Sequence, residues 1–167
     1  SATLLKIIGD IKYQIEDLDG AEEYYNQAIN FSENPGPIMR QLIFLYIDKD
    51  ETQKAIDYSD QLLNKYPNDP DIYFNIGVLY QRLSIQSYDP AYEKYIFLAN
   101  LKTDEIKSRN VDEFNNVYNG FAQSRKYAYN ARDYFMQASD LEIEGDGSSG
   151  KGAKEMRKLM KNIDDIF

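Results

Sequence analysis

The stretch Tyr73-Phe74-Asn75-Ile76-Gly77-Val78-Leu79-Tyr80 decides the fold, because the chain has used its pattern before. One fixed step back stand Leu42 and Tyr46, and a second such step reaches Ile8-Gly9. The same step relates Ala21 to Ala55 and Ile29 to Leu63. Small, aliphatic and aromatic residues each return at their own place, and a fixed period of about 34 residues is the mark of a helical repeat. Small residues sit where two helices of a hairpin approach closely. Larger apolar residues at spacings of three and four form the stripe that each helix buries. One hairpin cannot bury its apolar face alone, so such units stack.

Working outward, helix pairs are predicted near 3–15 with 18–32, 37–48 with 51–65, 70–84 with 90–107, and 111–124 with 127–143. Pro37, Pro70 and Pro90 fall at helix starts, where a missing N–H costs nothing. Asp50, Asp69 and Asp89 read as N-caps. The interval from Ala55 to Ala131 exceeds two periods, and the surplus is assigned to a loop at 84–89 and a longer second helix. Residues 144–152 read as a Gly/Ser linker. Beyond it, Met156, Leu159, Met160, Ile163 and Phe167 share one face of an amphipathic helix over 153–167, suited to covering the last hairpin.

The period resembles the tetratricopeptide repeat. The first copy carries Leu5, Ile8-Gly9, Ala21, Tyr25 and Ala28; the second Met39, Leu42-Ile43, Tyr46, Ala55, Leu62-Leu63 and Pro67. The third opens with Tyr73, Ile76-Gly77 and Tyr80, and a degenerate fourth carries Tyr118, Ala122, Ala131, Phe135 and Ala138. Ile43 and Asn119 depart from the small residue, and Ser59 from the aromatic. The resemblance implies an all-α fold: a right-handed superhelical stack of about four hairpins over 1–143 (2–35, 36–69, 70–110, 111–143), then the linker and the capping helix. Tyr25, Tyr46, Tyr73, Tyr80 and Tyr118 fall at its core positions, whereas Tyr13, Tyr88 and Tyr92 are open to recognition roles.

The resemblance also implies a concave groove lined by the first helices. Its positions correspond here to Lys6, Asp10, Tyr13 and Gln14; Arg40, Phe44, Ile47 and Asp48; Phe74, Val78, Gln81 and Arg82; and, in the weaker fourth copy, Asn116, Gln123 and Ser124. Members that hold the acidic tails of heat-shock chaperones place Lys, Asn and Arg there. Lys6 fits that scheme, but Asp10, Phe44 and Val78 do not. Phe44, Ile47, Phe74 and Val78 instead suggest an apolar strip rimmed by Lys6, Arg40 and Arg82, matched to an apolar or amphipathic segment of another protein. The expected role is a non-catalytic scaffold or regulator; a structural spacer or self-association unit is the alternative.

Composition narrows the rest. A net charge of −9 disfavours nucleic acid. No Cys and no His are present, which removes thiolate chemistry and the commonest metal ligand and general base. No enzyme activity or cofactor is expected, a monomer is favoured, and no apolar run is long enough to span a membrane. Ser1-Ala2 runs straight into a helical pattern, as a segment trimmed from a longer chain does, so the compartment stays open. Two motifs compete in the 142–152 loop. Gly145 to Lys151 satisfies G-x-x-x-x-G-K, but Gly152 stands where a phosphate loop needs a hydroxyl. Glu142, Glu144, Asp146 and Gly147 resemble half a calcium loop, yet Ala153 occupies the closing acid's place. Nucleotide or calcium binding is therefore a remote alternative.

Overall fold

Two hairpin turns, one repeat step apart, are built alike. Helices α1 (Ala2–Gln14) and α2 (Leu18–Asn30) meet at Glu16, and α3 (Gly36–Asp48) and α4 (Thr52–Lys65) meet at Asp50. Glu16 and Asp50 are both left-handed, with φ of 62° and 61°. The amides of Asp17 and Glu51 donate to the carbonyls of Lys12 and Tyr46 at 2.9 and 2.8 Å, and those of Glu16 and Asp50 to Tyr13 and Ile47 at 3.1 and 2.9 Å. This double closure satisfies the last carbonyls of α1 and α3. It offsets the ~1–2 kcal/mol that left-handed backbone costs a side-chain-bearing residue. Asp50 therefore makes the turn instead of capping α4, whose cap position falls to Glu51. Asp17 does cap α2, accepting from the Gly20 amide at 3.0 Å.

The computed structural model describes residues 1–141 and 148–166, and among these all regular structure is α-helical. The chain divides into two compact units, the first Ser1–Asn75 and the second beginning at Ile76, inside α5 (Pro70–Ala99). In the first unit the glycine of the repeat explains itself. A Cβ on Gly9 would lie 2.7 Å from the Tyr25 ring, so only glycine lets α2 seat that aromatic against α1. Ala21, Tyr25 and Ala28 are buried there, and the Tyr25 hydroxyl donates to Asp10 at 2.9 Å. Helix α3 buries more of its surface than α1, from Ile38 and Met39 through Leu42, Ile43 and Leu45 to Tyr46 and Ile47.

The second unit departs from the predicted helix pairs. Helix α5 runs unbroken for 30 residues through the predicted 84–89 loop, with Pro90 inside it, so Asp89 caps nothing. A short α6 (Thr103–Lys107) leads to α7 (Val111–Leu141), 31 residues long where two helices were predicted. An interior proline costs ~3 kcal/mol or more. Packing beyond it holds the helix together: Ala91 and Leu98 of α5 bury against Val117 and Phe121 of α7. Midway, the Ser84 hydroxyl donates to the Ser124 carbonyl at 2.8 Å, and both side chains are buried.

Gly77 restores the register. A Cβ there would lie 2.7 Å from the Phe135 ring, the relation that Gly9 has to Tyr25. Ala131, Phe135 and Ala138 are buried at the same spacings as Ala21, Tyr25 and Ala28. The second half of α7 is thus the partner of the first part of α5. In place of a degenerate fourth hairpin, one hairpin has both arms lengthened. The interval from Ala55 to Ala131 equals that from Ile76 to Gly152, so both carry the same inserted length beyond one period. Tyr118 and Ala122, expected at core positions, are accordingly exposed.

Helix α8 (Ser148–Asp164) starts within the stretch predicted as linker. It packs on α7 through Met156, Met160 and Ile163, and buried Gly152 meets the opposite edge of the Phe135 ring from Gly77. The phosphate-loop and calcium-loop positions 142–147, and Phe167, lie outside the described residues.

Candidate partner-binding surfaces

On the first unit, the predicted groove residues form a charged, internally bonded surface. Lys6 pairs with Asp10 at 2.7 Å, and Asp10 also accepts from Tyr25. Tyr13 donates to Asp48, joining α1 to α3. Arg40, Phe44 and Phe74 are half-buried, and Gln14 is exposed. Ile47 is buried at 5% exposure and belongs to the core, not to a groove. The cause is that α3 packs against both α2 and α4, so its apolar stripe is wide enough to take in Ile47.

The same unit carries a buried-edge ion network on another face. Glu22 accepts from Lys49 at 2.7 Å, Lys54 at 2.9 Å and the Tyr46 hydroxyl at 3.0 Å. Burial pushes its carboxyl up, but the three hydrogen bonds outweigh that and hold it below the ordinary value. Hydrogen bonds to Asp19 and Glu22 raise Lys49 in turn. Burial, then the bonds to Asp10 and Glu22, raise the hydroxyls of Tyr25 and Tyr46, which stay protonated. These contacts tie α2 to α3 and α4 and are structural.

On the second unit, two clefts adjoin along α5. One, of about 320 Å³, is lined by Val78, Gln81, Arg82, Ile85 and Gln86, and thus takes in three predicted groove residues. Gln81 also reaches Glu155 of α8 at 3.0 Å. Gln86 belongs to the second cleft as well, a furrow of about 570 Å³ between the distal half of α5 and the proximal half of α7. Asn116 and Gln123 line this furrow, together with Asn119, Pro90, Ala91, Lys94 and Gly120. Ser124, the remaining predicted position, is buried in its bond with Ser84. A third, apolar hollow of about 290 Å³ near the hairpin tip lies among Tyr95, Leu98, Phe114 and Tyr118. Tyr88 packs edge-on against Phe121, while Tyr92 stacks on Tyr88 and stays exposed.

The lining groups are amides, hydroxyls, aliphatic carbons and two cations, a set suited to hydrogen bonding and apolar contact. Gln86 and Asn119 fall at no groove position of the repeat scheme, Gln86 lying in the expected 84–89 loop and Asn119 at the small-residue place of the expected fourth copy. Asn116, Asn119 and Gln123 repeat one chemistry on one helical face, but that run does not say which segment forms the opposite wall and holds no hint of Gln86.

No family model matches the chain. Over 91 residues it is 35% identical to the general transcriptional corepressor trfA of Dictyostelium discoideum, a match covering 53% of this chain and 6% of that protein. The chain thus spans a small fraction of that relative. The crystal structure of a Bacteroides ovatus ATCC 8483 protein, provisionally described as a protein binding protein, is similar with a TM-score of 0.55 and 12% identity, over 98% of this chain and 75% of the other. At that identity the likeness is one of fold, that of a helical-repeat protein.

Proposed function

We propose that the chain is a non-catalytic protein-interaction module of the tetratricopeptide-repeat kind, holding a peptide or helix of a partner protein and serving as a scaffold or regulator of an assembly. The observation that carries this reading is the continuous strip of the second unit. Val78, Gln81 and Arg82 adjoin the furrow of Asn116 through Gln86, so apolar, cationic and amide groups follow one another along a single open face. A relative named as a transcriptional corepressor and a structural neighbour named for protein binding add support for an interaction role. The test is to select peptides from a random-sequence display collection on the full chain and titrate them by calorimetry. Arg82→Glu is expected to weaken them at least ~10-fold, about 1.4 kcal/mol, with helical circular dichroism unchanged. Undiminished affinity in Arg82→Glu combined with Val78→Asp rejects this face as the binding surface.

One observation favours a second reading, self-association. Leu4, Ile7, Ile11 and Ile15 form an exposed apolar stripe on α1. One repeat step on, Leu4 and Ile11 correspond to Ile38 and Leu45 of α3, which are buried. A stripe whose counterpart is covered elsewhere in the repeat is a natural seat for another helix. Light scattering decides: a monomer mass up to millimolar concentration removes self-association, and a mass that falls back to the monomer in Ile11→Glu establishes it.

A further inference from the structure

The furrow in the lengthened hairpin has a composition that the general interaction reading does not explain. Its bottom is small and buried. Ala91 and Val117 are buried, and a Cβ on Gly120 would stand 2.7 Å from that of Ala91, so the two helices nearly touch there. Its rims carry carboxamides. Gln86 stands on the α5 side, and Asn116, Asn119 and Gln123 form one row on α7. Among the described residues, none of these four side chains has a hydrogen-bond partner in the protein. Pro90 adds a backbone group on the α5 side, because its ring removes the N–H that would otherwise close the helical turn on the Gln86 carbonyl. Charge is nearly absent from the lining: the cation there, Lys94, is neutralised by Glu113 at 2.6 Å.

A carboxamide offers a donor and an acceptor in one plane, and so does a peptide bond. A row of them above a floor without bulky side chains suits a guest that brings its main chain close and asks for no countercharge. The row from Asn116 to Gln123 rises ~10 Å along α7 at ~1.5 Å per residue. An extended strand covers that length with about three residues at ~3.3 Å each. The furrow volume of about 570 Å³ lies within the ~300–1,000 Å³ of ligand clefts. We infer that this furrow binds an extended, uncharged segment of a partner polypeptide through its backbone amides. Side chains alternating outward from that strand are left to the neighbouring Val78–Arg82 cleft or to solvent.

This inference rests on the protein-binding reading and is separable from it. The probes are the display-selected peptides, each remade with N-methyl groups on its central amides, and the full chain carrying Asn116→Ala, Asn119→Ala and Gln123→Ala. Asn116 and Asn119 are exposed, so the triple variant is expected to keep its helical spectrum and melting temperature. Backbone recognition predicts a loss of at least ~10-fold both in the triple variant and, independently of any variant, for N-methylated peptides on the unaltered chain. Peptides that bind but ignore both changes overturn the inference and leave the interaction reading standing. Sensitivity to the triple variant without sensitivity to N-methylation also overturns it, since the amides would then be reading side chains. Failure to select any binding peptide counts against both readings.

Discussion

One hairpin in each unit is fastened with the same device, loaded differently. In the first, Gly9 admits Tyr25 from one side, and the phenol's polar tip ends on Asp10 at 2.9 Å. In the second, Phe135 is gripped at one ring edge by Gly77 and at the other by Gly152. Phenylalanine brings no hydroxyl, so this ring is buried without needing a hydrogen-bond partner. The α3–α4 hairpin does without the contact, with Ile43 and Ser59 buried in those places. Where the glycine–aromatic contact is present it fixes how the two arms meet, and chain added beyond it lengthens both arms without disturbing it. The extra length then brings its own core of Ala91, Leu98, Val117 and Phe121, closed by Ile163 of α8.

The sharpest way to break the comparison is Phe135→Ala. That ring is 1% exposed and joins α5, α7 and α8, so its removal is expected to cost ~3–5 kcal/mol by chemical denaturation. Amide exchange should quicken most along α8, whose Gly152 packs on that ring, while α1 and α2 keep their protection. A cost below ~1.5 kcal/mol would show that the doubly gripped ring is not what fastens this unit.

The fixed step between like residues made the all-helical repeat legible, and with it the close approach of two helices at the small residues; that Tyr25 is the side chain seated on Gly9 came from the structure. The lengthened hairpin was illegible for a physical reason. Its added chain is itself amphipathic helix, with Ala122 and Tyr118 close enough to the expected pattern to imitate another repeat. Pro90 likewise reads as a helix start from local chemistry. Only the long-range burial of Leu98 against α7 carries the helix through it. The candidate site was legible in part. Val78, Gln81 and Arg82 follow from register and line one cleft, whereas Asn116 was assigned through a fourth copy that the lengthened arm of α7 replaces. Ile47 belongs to the core instead, since its burial depends on how many neighbours α3 has, a number the sequence of α3 does not contain. Gln86 and Asn119 become visible only once two distant segments are known to be the walls of one furrow.

A smaller effect separates the units by charge. In the first unit, the carboxylate of Glu22 joins α2 to Lys49, Lys54 and Tyr46. Burial alone would raise its pKa from 4.5, yet the bonds from the two lysines and the phenol leave it lowered. A depressed carboxylate stabilises the fold fully above its unfolded-state pKa, and that contribution is lost as the pH falls through the folded value. Lys49, raised by its carboxylate partners, stays charged across this range, so the loss follows protonation of the acid. Glu22→Gln keeps the shape but removes the charge, and at pH 7 it is expected to cost about 1 kcal/mol. The same comparison repeated in acid should shrink as the pH falls below the ordinary value of 4.5 and through the lowered folded value, because the unaltered protein then loses the same interaction. Exchange of α2 and α3 amides should report it before that of α7, where Glu113 is held down by Lys94 in the second unit. A Glu22→Gln cost that stays constant from pH 7 down to pH 3 would assign the network's stabilisation to shape and hydrogen-bond count instead of charge.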